Sequence, residues 1–317
     1  MTASESWYPD PRIDPIEPVP YACVLDEQPI YTCPAAAGAW LPSWSGAILA
    51  APGLAVRDAQ DLGLGDAFRP GPVAVTSSAT ALPFWLDRDG LVAVQALLNG
   101  TADELPLRWR HLLVAAELAV PKGDLAAPPL AVPSRIQEQT WASGDQVCVL
   151  LRGLVHPFHL GSLRLHTRRL VRTGLMRDGD AQTPMRWVQN DEPVASWVHK
   201  HLSATVSAVL GQAVKPSYVY TATYHDGADL PMHVDREQCR FTVSLCIDCL
   251  PEPFNEIPWP LMLQPLGGRL RVYQRLGDAL LYGGQDIPHS RPQMPAGLTV
   301  TALFLHYVAE DFTGRLK

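Results

Sequence analysis

After residue 136 the chain breaks into short apolar runs separated by turn residues. SYVYTATY, FTVSLCID, GGRLRVY, DALLYGG, IPHSR and LTVTALFLHYV are each of strand length, with Gly, Pro or Asp between most of them. Many short strands at close spacing predict a β-sandwich or a barrel. Upstream, DQVCVLLRGLV and SLRLHTRRLVRTG read as two further strands. EPVASWVHKHLSATVSAVL (192–210) has the apolar spacing of an amphipathic helix packed outside such a barrel. Residues 1–132 differ in texture. PDPRIDPIEPVP and LAAPPLAVP favour extended or irregular backbone, whereas DGLVAVQALLNG and PLRWRHLLVAAELAV suit short helices. KGDLAAPPLAVP (122–133) is the expected linker. The expected organisation is therefore an accessory, substrate-recognition region over 1–132 and a mainly β domain with flanking helices over 133–317.

Composition narrows the setting. With 47% hydrophobic and 18% charged residues in 317, there is material for a sizeable core in one large or two small domains. No apolar run reaches the ~18 residues of a membrane span, and MTASESWYPDP lacks the basic and apolar segments of a secretory signal. A cytoplasmic protein without a membrane partner is expected. The formal net charge of −7 opposes a nucleic-acid partner, since gripping a phosphate backbone calls for a basic surplus. Six cysteines (Cys23, Cys33, Cys148, Cys239, Cys246 and Cys249) are ordinary usage for a reducing compartment. Cys246 and Cys249 form one C-x-x-C with no second pair to complete a zinc site, so strand packing is the better reading.

Candidate chemistry lies in LPMHVDREQCRF and GDALLYGGQDIPHSRP. His233 and Asp235 are two apart, and in extended backbone such residues project from the same face. His289 follows in a second strand-like segment after a Gly-Gly turn. Two imidazoles and one carboxylate on one side of an ion leave positions open for oxygen and substrate, the ligand set of non-haem iron(II) oxygenases. A lone His-x-Asp is not informative: with 10 His and 21 Asp in the chain, chance gives about 0.7 of them. The order of strands around it carries the weight. Elsewhere, the Pro-Phe between His156 and His159 opposes a helical metal pair, and His199 and His201 diverge on the predicted helix.

In these segments the chain resembles the iron(II)/2-oxoglutarate-dependent dioxygenase superfamily, particularly its prolyl-hydroxylase-like branch. YHDGADLPMHVDREQCRFTVSLCID is similar to that branch's loop, H-x-D strand and following strand, and GDALLYGGQDIPHSRPQMPAGLTVTALFLHYV to its distal-His and closing strands. The resemblance covers about residues 136 to 310. It implies a double-stranded β-helix (jelly-roll) fold, Fe(II) on His233, Asp235 and His289, and 2-oxoglutarate as cosubstrate with molecular oxygen. It also implies hydroxylation of an unactivated C–H bond in a small-molecule or peptide substrate, an amino-acid side chain being the leading expectation. Asp235 argues against halogenation, where halide replaces the carboxylate.

One position departs from the family. An Arg or Lys about ten residues after the distal His commonly pairs with the far carboxylate of 2-oxoglutarate; here Thr299, Val300 and Thr301 stand there. Thr299 and Thr301 offer hydroxyls but not the charge-assisted grip of a guanidinium. The expected cation is Arg291, on the strand face of His289; Arg240 is second, and Arg269 or Arg271 third. Tyr224 is the candidate for an aromatic contact to the cosubstrate. Two alternatives stay open: a cupin-like metalloenzyme that does not use 2-oxoglutarate, and a non-catalytic jelly-roll binding protein.

Overall fold

The computed structural model describes residues 46–57, 73–77, 82, 84–86, 88–122, 137–141, 146–179 and 182–317. Cys23, Cys33, the PDPRIDPIEPVP run and the expected linker beyond Lys122 lie outside the described residues. The chain forms two compact units: one holds 137–154 and 163–317, the other the described residues of 20–136 together with 155–162.

In the second unit, β1 (Ile48–Ala50) pairs with β5 (Ala119–Pro121). β2 (Ala55–Arg57), β3 (Val73–Thr76) and β4 (Phe84–Leu86) form a three-stranded sheet. The two expected helices are α1 (Arg88–Leu98) and α2 (Leu107–Ala115). Phe84 is fully buried and stacks on His159 at 4.4 Å, while His156 Nε2 lies 2.7 Å from the Ala115 carbonyl. Both histidines are thus packing residues.

The first unit is built on an eight-stranded antiparallel sheet. It comprises β6 (Gln137–Thr140), β7 (Cys148–Arg152), β8 (Arg177–Asp178), β9 (Arg186–Asn190), β10 (Val214–Tyr224), β12 (Phe241–Leu250), β15 (Ala279–Tyr282) and β17 (Thr299–Ala309), in the order β6-β7-β15-β12-β17-β10-β9-β8. A four-stranded sheet has the order β11 (Leu230–His233), β16 (His289–Arg291), β13 (Leu261–Leu263), β14 (Leu270–Val272). From β10 onward the chain alternates between the two sheets strand by strand, with only β13 and β14 consecutive in one sheet. That winding is the double-stranded β-helix, the jelly roll that the sequence resemblance implies and one form of the barrel expected from the strand count. Its core at one end joins both sheets through Leu150, Leu261, Leu263, Val272, Leu280 and Ile287.

Helix α3 (Pro157–Arg172) corrects the sequence reading, which took SLRLHTRRLVRTG for a strand. Alternation at Leu163 and Leu165 misleads. The residues that bury are Leu163, Arg164, Thr167, Arg168, Leu170 and Val171, which is helical spacing. Arg164 and Arg168, one turn apart, both reach the buried carboxylate of Asp248 on β12. Arg164 Nε donates to Oδ1 at 2.9 Å and Arg168 Nη2 donates to Oδ1 at 2.8 Å, while Arg164 Nη2 also meets Glu252 Oε2 at 3.1 Å.

Helix α4 (Pro193–Leu210) starts as the sequence suggests. Glu192 accepts from the Ala195 N–H at 2.8 Å, Pro193 occupies the first turn, and Gly211 ends the helix at φ 66°. It packs on β10 and β17. His199 is buried on this face, its Nε2 2.7 Å from the His306 carbonyl. Among the described residues no helix is long and apolar enough to cross a membrane. Cys246 and Cys249 are buried free thiols in β12, as strand packing requires, and burial pushes the Cys249 pKa up to about 12.

Two outcomes follow from the buried charges. Asp248→Ala removes the carboxylate that two buried guanidiniums share and should cost about 3–5 kcal/mol in urea unfolding. Burial pulls the His199 pKa from 6.5 down to about 4, so the unfolded chain takes up the proton first. That contribution to stability is complete above about pH 6.5 and is lost as pH falls toward 4. Melting curves should show Tm dropping across this window, with a shallower drop in His199→Gln, which keeps the donor and does not titrate.

Candidate metal centre

The register of β11 against β16 sets His233 directly opposite His289. Two residues on, the chain turns, and the Asp235 N–H donates to the Gly284 carbonyl at 2.9 Å. This bond brings the carboxylate back over the two rings. His233 Nε2 lies 3.7 Å and His289 Nε2 3.6 Å from Asp235 Oδ1, and the ring centroids are 4.3 Å apart. One ligand atom from each residue falls within 4.8 Å of the others. The residues expected to form the site are therefore brought together.

Their hydrogen bonds fix which atoms face inward. His233 Nδ1 lies 2.8 Å from the Pro231 carbonyl and His289 Nδ1 2.9 Å from the Ile287 carbonyl. A carbonyl only accepts, so each Nδ1 carries the hydrogen and each Nε2 presents a lone pair. Burial and the neighbouring His289 ring both lower the His233 pKa. The Asp235 carboxylate completes the set. Thr242 donates to Oδ2 at 2.9 Å, which leaves Oδ1 for the centre. Three acceptor atoms converge with no hydrogen between them. Such a cluster is repulsive until a cation fills it, and the donor set of two imidazoles and one carboxylate fits ferrous iron.

Gly284 makes the convergence possible. A Cβ there would collide with Asp235 Oδ2, and would sit 2.6 Å from Thr242 Oγ1 and 2.7 Å from the Cys239 carbonyl.

A cavity of about 510 Å³ opens over the three residues, in the size range of small-ligand sites. Tyr218, Tyr220, Tyr224, Tyr282 and Phe304 line it, with Arg186, Arg236 and Gln238. Tyr224 is 1% exposed and accepts from Arg186 Nη1 at 3.0 Å. Arg186 was not foreseen in the sequence. It stands on β9, outside the motif segments, and only the pairing of Tyr224 with Arg186 across β10 and β9 brings it to the cavity.

The other expected cosubstrate contacts divide. Arg291 is buried behind the cavity, its guanidinium 4.6 Å over the Trp259 ring, and it donates to the Trp259 carbonyl at 2.9 Å. Its Nε has no hydrogen-bond partner, and no carboxylate pairs with it among the described residues. Arg240 departs from expectation: it is half-exposed and held by Asp286 at 3.0 Å, away from the cavity lining. Arg269 and Arg271 are exposed. Thr299 and Thr301 alternate with Phe304 and His306 along β17 and so lie on its other face; Thr301 Oγ1 bonds Thr223 Oγ1 at 2.9 Å. Neither hydroxyl is available to the cavity.

No family model matches the sequence, and no curated protein matches it. Among solved structures, the chain is similar to a prolyl-4-hydroxylase from Pseudomonas putida, at 15% identity over 51% of this chain and 92% of that one, with a TM-score of 0.42. It is also similar to HygX from Streptomyces hygroscopicus with nickel and 2-oxoglutarate bound, at 14% identity over 52% and 84%, TM-score 0.40. A third is SnoK, a non-heme alpha ketoglutarate dependent carbocyclase from nogalamycin biosynthesis, at 11% identity over 54% and 83%, TM-score 0.46. At these values the fold assignment rests on the strand order itself.

Gly284→Ala tests the metal centre. It should leave the fold standing while displacing Asp235, weakening Fe(II) or Co(II) binding by roughly 10- to 100-fold in a metal titration. Unchanged metal affinity would remove the cradle from the account.

Proposed function

We propose that the chain is an Fe(II)- and 2-oxoglutarate-dependent oxygenase that hydroxylates an unactivated C–H bond of an amino-acid side chain, free or within a peptide. The observation that carries this is the convergence of His233 Nε2 and His289 Nε2 at 3.7 and 3.6 Å from Asp235 Oδ1, with each Nδ1 turned to a backbone carbonyl. The chemistry supplied by bound ferrous iron and 2-oxoglutarate is the activation of O2, with succinate and carbon dioxide as coproducts. The protein's part is to hold that chemistry on one side of an ion and leave the cavity side open. Thr242 keeps Asp235 on a single oxygen, and the two backbone carbonyls keep both imidazoles aimed.

Arg291 is the proposed anchor for the distal carboxylate of 2-oxoglutarate. Burying a guanidinium without a counter-ion is costly, and burial pulls its pKa down. A carboxylate entering from the metal side offsets that cost. Tyr224 and Tyr282 lie close enough to Arg291 to influence its charge, and they are buried among the cavity-lining residues. A cupin-like metalloenzyme without 2-oxoglutarate is the competing reading. It is favoured by the inward face of β17, where Val300, Ala302, Phe304 and His306 supply no arginine or lysine.

Anaerobic addition of Fe(II) and 2-oxoglutarate should produce a weak visible absorption band, and admission of oxygen should release succinate. Asp235→Ala should abolish both. Arg291→Met should raise the KM for 2-oxoglutarate roughly 10- to 100-fold, the scale of a lost charge-assisted hydrogen bond, whereas Arg240→Met should leave it within about twofold. A larger effect from Arg186→Met than from Arg291→Met would move the anchor to β9. The absence of any band would favour the competing reading.

A further inference from the structure

The tautomer logic of the metal centre extends one residue further. Thr242 Oγ1 spends its hydrogen on Asp235 Oδ2 at 2.9 Å. It also lies 3.0 Å from His306 Nδ1, so there it must accept, and Nδ1 carries the imidazole hydrogen. His306 is 6% exposed, and burial disfavours a second proton on the ring. Its Nε2 is therefore a bare acceptor. Among the described residues no hydrogen bond fills it, and His306 lines the cavity.

Next to it stands a second open acceptor. Gln238 lines the same cavity, and its Oε1 is buried without a hydrogen-bond partner. Ser217 Oγ ties the two positions together, lying 2.6 Å from the Gln238 carbonyl and 2.9 Å from the His306 carbonyl. A buried acceptor with no donor is costly, so the wall calls for a ligand rich in N–H or O–H.

A cation completes the wall. The Tyr218 ring sits 4.6 Å from the His306 ring on one side and 5.6 Å from the Arg236 guanidinium on the other. Arg236 Nη2 donates to Tyr218 Oη at 3.1 Å, which holds the guanidinium at the cavity. No carboxylate forms an ion pair with Arg236 among the described residues. Asp235, its neighbour, faces the metal position, and Asp191, the other acid of the lining, is taken by Lys317 at 2.9 Å. One wall thus offers a planar cation for an anion and two acceptors for a multiple donor.

We infer that Tyr218, Arg236, Gln238 and His306 form a receptor for the head group of a free α-amino acid, its carboxylate on Arg236 and its ammonium on Gln238 Oε1 and His306 Nε2. This rests on the oxygenase reading and narrows it: a residue inside a peptide has neither the carboxylate nor the ammonium. The side chain then extends past Tyr220 and Phe304, whose rings are 6.2 Å apart, with the metal position beside it.

The test is calorimetry on the full chain loaded with Ni(II), which reads binding rather than turnover. 2-Oxoglutarate is titrated first. The standard free L-amino acids follow singly, then the same compounds as N-acetyl derivatives, as amides and as capped tripeptides. At least one free amino acid should bind, and either acetylation or amidation should weaken it at least roughly 10-fold. Arg236→Met should weaken the carboxylate-bearing ligand by roughly 10- to 100-fold while leaving 2-oxoglutarate affinity within about twofold. Gln238→Leu should weaken the ammonium-bearing ligand and leave its des-amino analogue unaffected. Capped peptides binding as well as free amino acids, or no amino acid binding to a protein that holds 2-oxoglutarate, would overturn the inference alone. Failure of 2-oxoglutarate itself to bind would overturn the oxygenase reading beneath it.

Discussion

Three acceptor atoms forced together without a proton between them are the constraint on which the rest of the barrel depends. Left to themselves, two neutral imidazoles and a carboxylate turn away from one another or share a hydrogen. Here turning away is closed off. The Pro231 and Ile287 carbonyls hold the hydrogens on the far side of each ring, and the Gly284 carbonyl holds the aspartate turn. Each of these anchors is backbone, so the rings and the carboxylate turn are held by main-chain positions and not by flexible side chains. The missing side chain of Gly284 leaves the carboxylate its place.

Buried charge recurs in this unit, and two of its instances contrast. Asp248 is closed off by Arg164 and Arg168, with Glu252 completing the set, so that charge is matched and the network serves stability. Arg291 is as deeply buried but meets a carbonyl, an amide and an indole face instead of a carboxylate. The first charge is matched within the fold; the second has no carboxylate partner among the described residues, which is why it is the proposed anchor for a ligand. That contrast separates Arg164 and Arg168 from Arg291, which look alike in the sequence.

The cavity follows from the same alternation that builds the sheets. On β10 the even-numbered residues Tyr218, Tyr220 and Tyr224 turn inward, as do Phe304 and His306 on β17. The odd-numbered Thr223 and Thr301 face out and bond each other. A shift of one residue exchanges the two sets. This is why Thr299 and Thr301, where the sequence resemblance leads one to expect a cation, lie on the other face from the cavity.

Much of this was legible in the chain alone. Strand-length runs punctuated by Gly and Pro determine a wound β architecture, because period-two burial and turn residues are local properties. Glu192, Pro193 and Gly211 likewise mark the ends of α4 by local chemistry. His233 and Asp235 share a face by spacing alone, and His289 was recognisable from the strand that precedes it. What needed the tertiary structure was everything set by pairing between distant segments. Leu163 to Val171 reads as alternation until burial shows a helical stripe facing Asp248, and Arg186 is an unremarkable strand residue until β9 aligns it with Tyr224. Register across strands and the facing of helices are non-local quantities. They depend on which partner is adjacent, and a linear pattern of apolar and polar residues does not carry that information.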